Sequence, residues 1–311
     1  MTAPDDLAAL LASGEHAAFH GKPAAAAGVL ERAVTVARGQ DRAAEAAAAG
    51  WLLGVALGAG GRYGGALTVL SPLVDGGRAQ DAAPEHRLFA ALAAATVASV
   101  HRQLGRHAVA RASDLEALAL TDGTGEAAFD AQLGLASDAV GLDEPDEAGR
   151  RLDQARALVP ARADEWWRQR VRLGWVEAEI QLLDGQVDEA VTTVSAAVDR
   201  AESARAPRHV AKGLLILGIA QVSGGLGGDG QGDAATTLRR ASTLAESLGT
   251  TPLVWPARAL LGALVVDADP AESARSLAAA RAAVRAIADD LPPGVRAEWL
   301  GRPDVAALLA G

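Results

Sequence analysis

The stretch from Trp51 to Leu73 reads WLLGVALGAGGRYGGALTVLSPL. A helix-forming run carries Leu53 and then Gly54, a Gly-Arg-Tyr turn follows at Gly61 to Tyr63, and a second helical run carries Ala66 with Leu70 four residues on. Residues four apart share one face of a helix, so Ala66 and Leu70 look the same way. Gly61 supplies the left-handed conformation that ends a helix. A small residue beside a larger one marks where two helix backbones come close. The stretch is a helical hairpin.

The same pattern recurs seven times along the 311 residues. First helices carry Leu53-Gly54, Val97-Ala98, Leu135-Ala136, Leu217-Gly218 and Leu261-Gly262. Second helices open with Ala and a bulky residue four on, as in Ala148 with Leu152, Ala190 with Val194 and Ala234 with Leu238. The turns between are of the type Gly105-Arg106-His107 and Asp184-Gly185-Gln186. Pro84, Pro145, Pro207 and Pro252 fall at predicted helix starts, and Asp269-Pro270-Ala271-Glu272 reads as a capping box with Pro at the first helical position. No run shows the alternation a strand needs. A chain of this length is two domains or a repeat array, and self-similarity selects the array.

The hairpin resembles the tetratricopeptide signature, Trp-x2-Leu-Gly-x2-Tyr followed by Ala-x3-Phe and Pro. Leu53, Gly54, Leu57, Ala66 and Leu70 fall on that motif, and Ala148, Leu152, Ala155 and Pro160 match its second half. Trp51 stands one residue late, most aromatic positions are aliphatic, and the period is about 41 residues where the family has 34. The longer period is similar to the repeat regions of large bacterial transcription activators of the maltose-regulator type. So is the tail, Ala288-Asp289-Asp290-Leu291-Pro292-Pro293 and Arg296-Ala297-Glu298-Trp299-Leu300. The resemblance implies an all-α, right-handed α-solenoid of about seven hairpins in a single domain over 1–311. The hairpins lie near 5–40, 41–78, 84–121, 124–160, 162–204, 207–248 and 252–290, with a C-terminal cap over 291–311. A closing helix is expected near Pro293 to Leu300.

Composition narrows the function. There is no cysteine, which excludes disulfides, thiolate metal sites and a thiol nucleophile and fits a reducing cytoplasm. The N-terminus Met1 to Asp6 is acidic, and no run of 18 uncharged apolar residues follows, so neither export nor a membrane partner is expected. A net charge of −10 and a pI of 5.1 argue against direct nucleic-acid binding, which needs a clustered cationic face. Cations are nearly all Arg, with Lys only at Lys22 and Lys212, a habit resembling a high-GC bacterium.

Candidate chemistry is sparse. The segment Ser223 to Asp233 is too rich in Gly to be helical and reads as a loop in place of a turn; without a preceding strand it is no phosphate-binding fingerprint. His16 and His20 are four apart but lack a third metal ligand nearby, and their place at a helix end suits the dipole. His86, His101, His107 and His209 are scattered, with no nucleophile-elbow motif. The pairs Asp143-Glu144, Asp146-Glu147 and Asp188-Glu189 fit helix N-termini better than acid–base work. No cofactor, metal or catalytic constellation is read, and the chain is not expected to be an enzyme.

In the family that the pattern resembles, first helices line the concave face. That implies a groove carrying Trp51, Val55, Arg102, Leu133, Arg168, Arg172, Trp175, Glu179, Leu182 and Leu215, with Leu92, Val140 and Ile219 beside them. Arg168, Arg172, Trp175 and Glu179 form one helical stripe, suited to a ligand with an apolar body and an anionic end. A shift of one residue would bury Trp51 and Trp175 as packing aromatics instead. The resemblance implies a regulatory module binding a peptide or protein segment. A small-molecule sensor or carrier is the second reading, and an enzyme on a helical scaffold the third. The chain carries no helix-turn-helix DNA reader and no nucleotide-binding segment, so it reads as a region or a freestanding relative of such regulators.

Overall fold

The computed structural model describes residues 6–79, 82–161, 164–225 and 230–311, and these form 16 α-helices with no strand. The helices pair in order: α1 (Leu7–His20) with α2 (Pro23–Gly39), α3 (Ala43–Ala59) with α4 (Tyr63–Gly77), and α5 (Pro84–Gln103) with α6 (His107–Ala119). Then come α7 (Gly125–Gly141) with α8 (Pro145–Leu158), α9 (Trp167–Leu183) with α10 (Val187–Ser203), α11 (Pro207–Ser223) with α12 (Gly230–Leu248), and α13 (Thr251–Leu264) with α14 (Pro270–Asp290). Each helix packs on the next, and each first helix also packs on the first helix of the following hairpin, as a solenoid requires.

The small-and-bulky pattern explains the pairing. A methyl group on Gly54 would stand 2.4 Å from Leu70 Cδ2, and one on Gly218 would stand 2.6 Å from Leu238 Cδ2. The glycines are therefore the sockets into which the bulky residue of the second helix fits. Ala66, Ala148 and Ala190 are fully buried and hold the two backbones close. Gly61, Gly105 and Gly185 turn with φ of 82°, 76° and 75°, while Asp143 takes the same left-handed place in the fourth hairpin.

Several local expectations change. Gly230 to Asp233 begin α12, so the Gly-rich segment is helical at its end, because packing of α12 against α11 and α13 outweighs the weak propensity of Gly. Gly224 closes α11, and 226–229 lie outside the described residues. Asp269 caps α14 by accepting from the Glu272 N–H at 2.9 Å, but the Glu272 carboxylate accepts from Arg239 on α12 and does not complete the box. Pro72 and Pro256 sit inside α4 and α13. The expected closing helix is followed by another: α15 (Pro293–Gly301) and α16 (Pro303–Ala310).

The array curls until its ends meet its middle. Trp299 of α15 and Val305 of α16 join one core with residues of α2 to α7 and with Val284 and Ile287 of α14. Arg302 lies over the rings of Trp299 and Trp255 and donates to the Gln103 carbonyl of α5 at 3.2 Å. Asp290 accepts from the Gly65 N–H of α4 at 3.1 Å. At the other seam α1 meets α9 and α11: Arg208 donates to the Ala18 carbonyl, Arg168 lies over Phe19, and His20 packs on Trp167. This closure turns a groove into a central cavity.

Candidate functional site

The cavity has a volume of about 510 Å³ and is lined mainly by α3, α5, α7, α9, α11 and α13, together with Phe19 of α1 and the first residues of α4 and α6, Tyr63 and His107. That is the concave side made by first helices. Its apolar wall is Trp51, Val55, Leu133, Val140, Leu215, Leu253 and Trp255. Its polar wall holds Arg102, Asp130, Arg168, Arg172, Glu179, Arg208, His209 and Lys212.

Trp51 and Trp175 are 8% and 7% exposed, so each ring lines the cavity with an edge and packs its bulk in the core. The Trp51 indole N–H donates to Thr96 Oγ1 at 3.2 Å, whereas that of Trp175 is buried without a hydrogen-bond partner. Trp175 stacks on His209 with ring centroids 5.5 Å apart, and Lys212 Nζ stands 4.9 Å from its ring centroid.

A buried charge cluster braces the wall beside them. One Arg102 nitrogen lies 2.9 Å from Asp114 Oδ2, 2.7 Å from Asp138 Oδ1 and 2.9 Å from the Gly134 carbonyl. Both carboxylates are fully buried. Burial, with Asp138's charge adding and Arg102 opposing, pushes the Asp114 carboxyl well above the usual carboxylate range. Burial works against the Arg102 cation, but the two carboxylates hold its pKa above the ordinary value. Asp114 stands four residues after Ala110, where other hairpins carry Leu70, Leu152, Val194 or Leu238. An acid at a bulky core position is the sequence signal that could have revealed this cluster.

On α7 and α9 acids face bases: Glu126 accepts from Arg168, and Asp130 accepts from Arg172. Burial lowers the Arg168 pKa well below its ordinary value, with the charges of Arg172 and Arg208 adding. Burial and Arg172 bring Arg208 down to about 10. Burial also lowers His209 and Lys212, and neighbouring cations contribute to both.

No family model matches this chain, and no curated protein matches it. Solved structures do match. A Rap protein, crystallised in complex with competence and sporulation factor, has a TM-score of 0.65 at 11% identity, covering 98% of this chain and 88% of that one. NprR, crystallised in complex with its cognate peptide NprX, has a TM-score of 0.53 at 14% identity, covering 100% of this chain and 89% of that one. The chain shares its fold with these two proteins.

On this tetratricopeptide-like solenoid, Trp51, Val55, Arg102, Leu133, Arg168, Arg172, Trp175, Glu179 and Leu215 all line the cavity. Leu182 does not. It lies on the same face as Trp175 and Glu179 but at the far end of α9, one residue before the helix ends, where it packs into the core formed by α9 to α13. Leu92 is buried in the separate core that Trp299 and Val305 join, and Ile219 packs against the α9 to α13 core. Sequence reading missed Arg208 and Lys212, although they are the Arg168 and Arg172 positions carried one repeat forward. His16 and His20 stack on each other 5.0 Å apart, and no cluster of three or more metal-ligating groups occurs among the described residues. No described helix is long and apolar enough to cross a membrane.

Proposed function

We propose that the chain is a non-catalytic, regulatory interaction module that takes a peptide or an extended protein segment into its central cavity. The observation carrying this reading is the cavity itself: successive first helices line it with apolar side chains, tryptophans and a set of cationic groups. A peptide offers both kinds of surface, apolar side chains and charged groups. The reading is further supported by the shared fold with the Rap protein, crystallised with competence and sporulation factor, and NprR, crystallised with its cognate peptide. The site residues are those of the sequence-derived set that line the cavity, with Arg208, His209 and Lys212 added, and one solenoid domain spans 1–311.

The second reading, a small-molecule sensor or carrier, is favoured by the cavity volume, which lies within the range of roughly 300–1,000 Å³ typical of small-ligand pockets. Likeness to the repeat regions of maltose-regulator-type activators would make the rest of such a regulator the partner. A bacterial cytoplasmic setting, with neither nucleic acid nor membrane as direct partner, is supported by the cysteine-free, acidic composition.

Native mass spectrometry of the purified protein, followed by thermal melting with any copurified molecule, tests the proposal. A peptide that copurifies should raise the melting temperature, since a ligand at a hundred times its Kd adds about 2.7 kcal/mol of stability. Copurification of a non-peptide molecule, with no peptide stabilising the protein, would replace the first reading by the second.

A further inference from the structure

The inner faces of four consecutive first helices carry equivalent repeat positions, and their charge changes from helix to helix. On α7 these positions are Glu126 and Asp130, on α9 Arg168 and Arg172, on α11 Arg208 and Lys212, and on α13 Pro252 and Pro256. The α7 acids pair with the α9 bases. On its far side α11 faces Pro252 and Pro256 at the equivalent positions of α13, so no acid there matches its cations.

Among the described residues neither Arg208 nor Lys212 forms an ion pair within 4.0 Å. Arg208 donates once, to the Ala18 carbonyl, and its Nε is buried with no acceptor. Lys212 lies over the Trp175 ring, with Glu179 the carboxylate that acts on it at longer range. The Trp175 indole N–H is buried without a partner toward Gly213 and Val198, and His209 Nδ1, on the ring stacked against Trp175, is also buried without one. Arginine and indole nitrogens are donors only, and lysine has no acceptor either. The fold thus holds like charges together and leaves the buried Arg208 Nε–H unfilled, an arrangement that a buried acceptor-only group would complete.

We infer that Arg208 and Lys212 form a subsite for a compact anionic group, a carboxylate or a phosphate, that fixes the charged end of the cavity's occupant. The inference rests on the cavity-binding reading above. The Trp175 and His209 rings form the platform beside it, and Arg168 and Arg172 are occupied by α7. The anion offsets the mutual repulsion among Arg172, Arg208 and Lys212, so its binding raises stability more than an equal concentration of chloride does.

Thermal melting at constant ionic strength tests this with four probes: inorganic phosphate, acetate, and one pool of random pentapeptides prepared as free acids and as C-terminal amides. The wild-type protein should show a saturable rise with phosphate, or with acetate and the acid pool, and this outcome separates the two anion sources. Lys212→Met should weaken that response by about tenfold or more while melting no lower than wild type without ligand, and Lys212→Arg should restore it. Lys212→Gln serves if the Met variant does not fold. A phosphate and acetate response no different from chloride, or one unchanged in Lys212→Met, overturns the subsite. Equal stabilisation by acid and amide pools overturns it too, while leaving the peptide reading in place. Saturable phosphate binding with no response to either pool keeps the subsite and removes the peptide.

Discussion

Trp175 sits in two environments at once, lining the cavity while belonging to the α9 to α13 core that also contains Val171, Val194 and Leu214. Truncation removes packing together with the wall. Trp175→Ala should therefore cost about 3–5 kcal/mol of stability, measured by urea denaturation, and not leave the melting curve near wild type as a purely groove-facing ring would. Trp175→Phe keeps most of the packing and isolates the loss of the indole N–H. The fully buried Ala66, Ala148 and Ala190 have no room to grow, so replacing any of them by Leu should destabilise by about 1–3 kcal/mol; three neutral variants would refute the packing described here. Asp114 gives a pH signature. Its native pKa is raised, so the folded protein holds a proton that the unfolded chain has released. Its stabilising contribution is fully present below the ordinary carboxylate pKa of about 3.9 and is lost as pH rises through the raised native value. Asp114→Asn imitates the protonated form. Urea denaturation across about pH 4 to 8 should show the variant gaining on wild type as pH rises, and a flat difference would contradict the raised pKa.

At the scale of elements, the hairpins differ mainly in how their two helices are joined. Most turn through one left-handed residue, such as Gly61 or Asp143, whereas α11 and α12 are separated by Gly224 to Asp229. Closure entropy rises slowly with loop length, and α12 is held by α11 and α13 through Leu238 and Ala241. Deleting 226–229 should therefore shift the melting temperature little. A fall of several degrees in a calorimetric scan would mean that those residues contribute contacts of their own.

The whole molecule depends on its two closing seams. Trp299 is 1% exposed, meets Trp255 edge-on with centroids 5.7 Å apart, and donates to the Val284 carbonyl. It fills the junction where the C-terminal cap returns to α5 and α13, a place no repeat supplies. Trp299→Ala should cost about 3–5 kcal/mol in urea denaturation and, by loosening the seam, should speed protease cleavage near α15 and α16. A small loss of stability would show that the ring does not need its cap.

The sequence by itself determined the helical hairpin, its recurrence and the faces of the first helices. Those follow from local periodicity: a small residue, a left-handed turn and an Ala with a bulky partner carry their meaning within one repeat. Helical register was also enough to put Trp51, Arg168, Arg172, Trp175 and Glu179 on the cavity side, whereas Leu182, on the same face at the far end of α9, belongs to the core. Tertiary structure decided the rest. Whether Trp51 and Trp175 face a groove or a core had no single answer in one dimension, since curling the array gives each ring both. The buried Arg102, Asp114 and Asp138 cluster joins α5, α6 and α7, and the uncompensated α11 cations arise from what α9 and α13 present on either side. Charge compensation and closure depend on neighbours many residues apart, and distances of that kind exist only once the solenoid has folded.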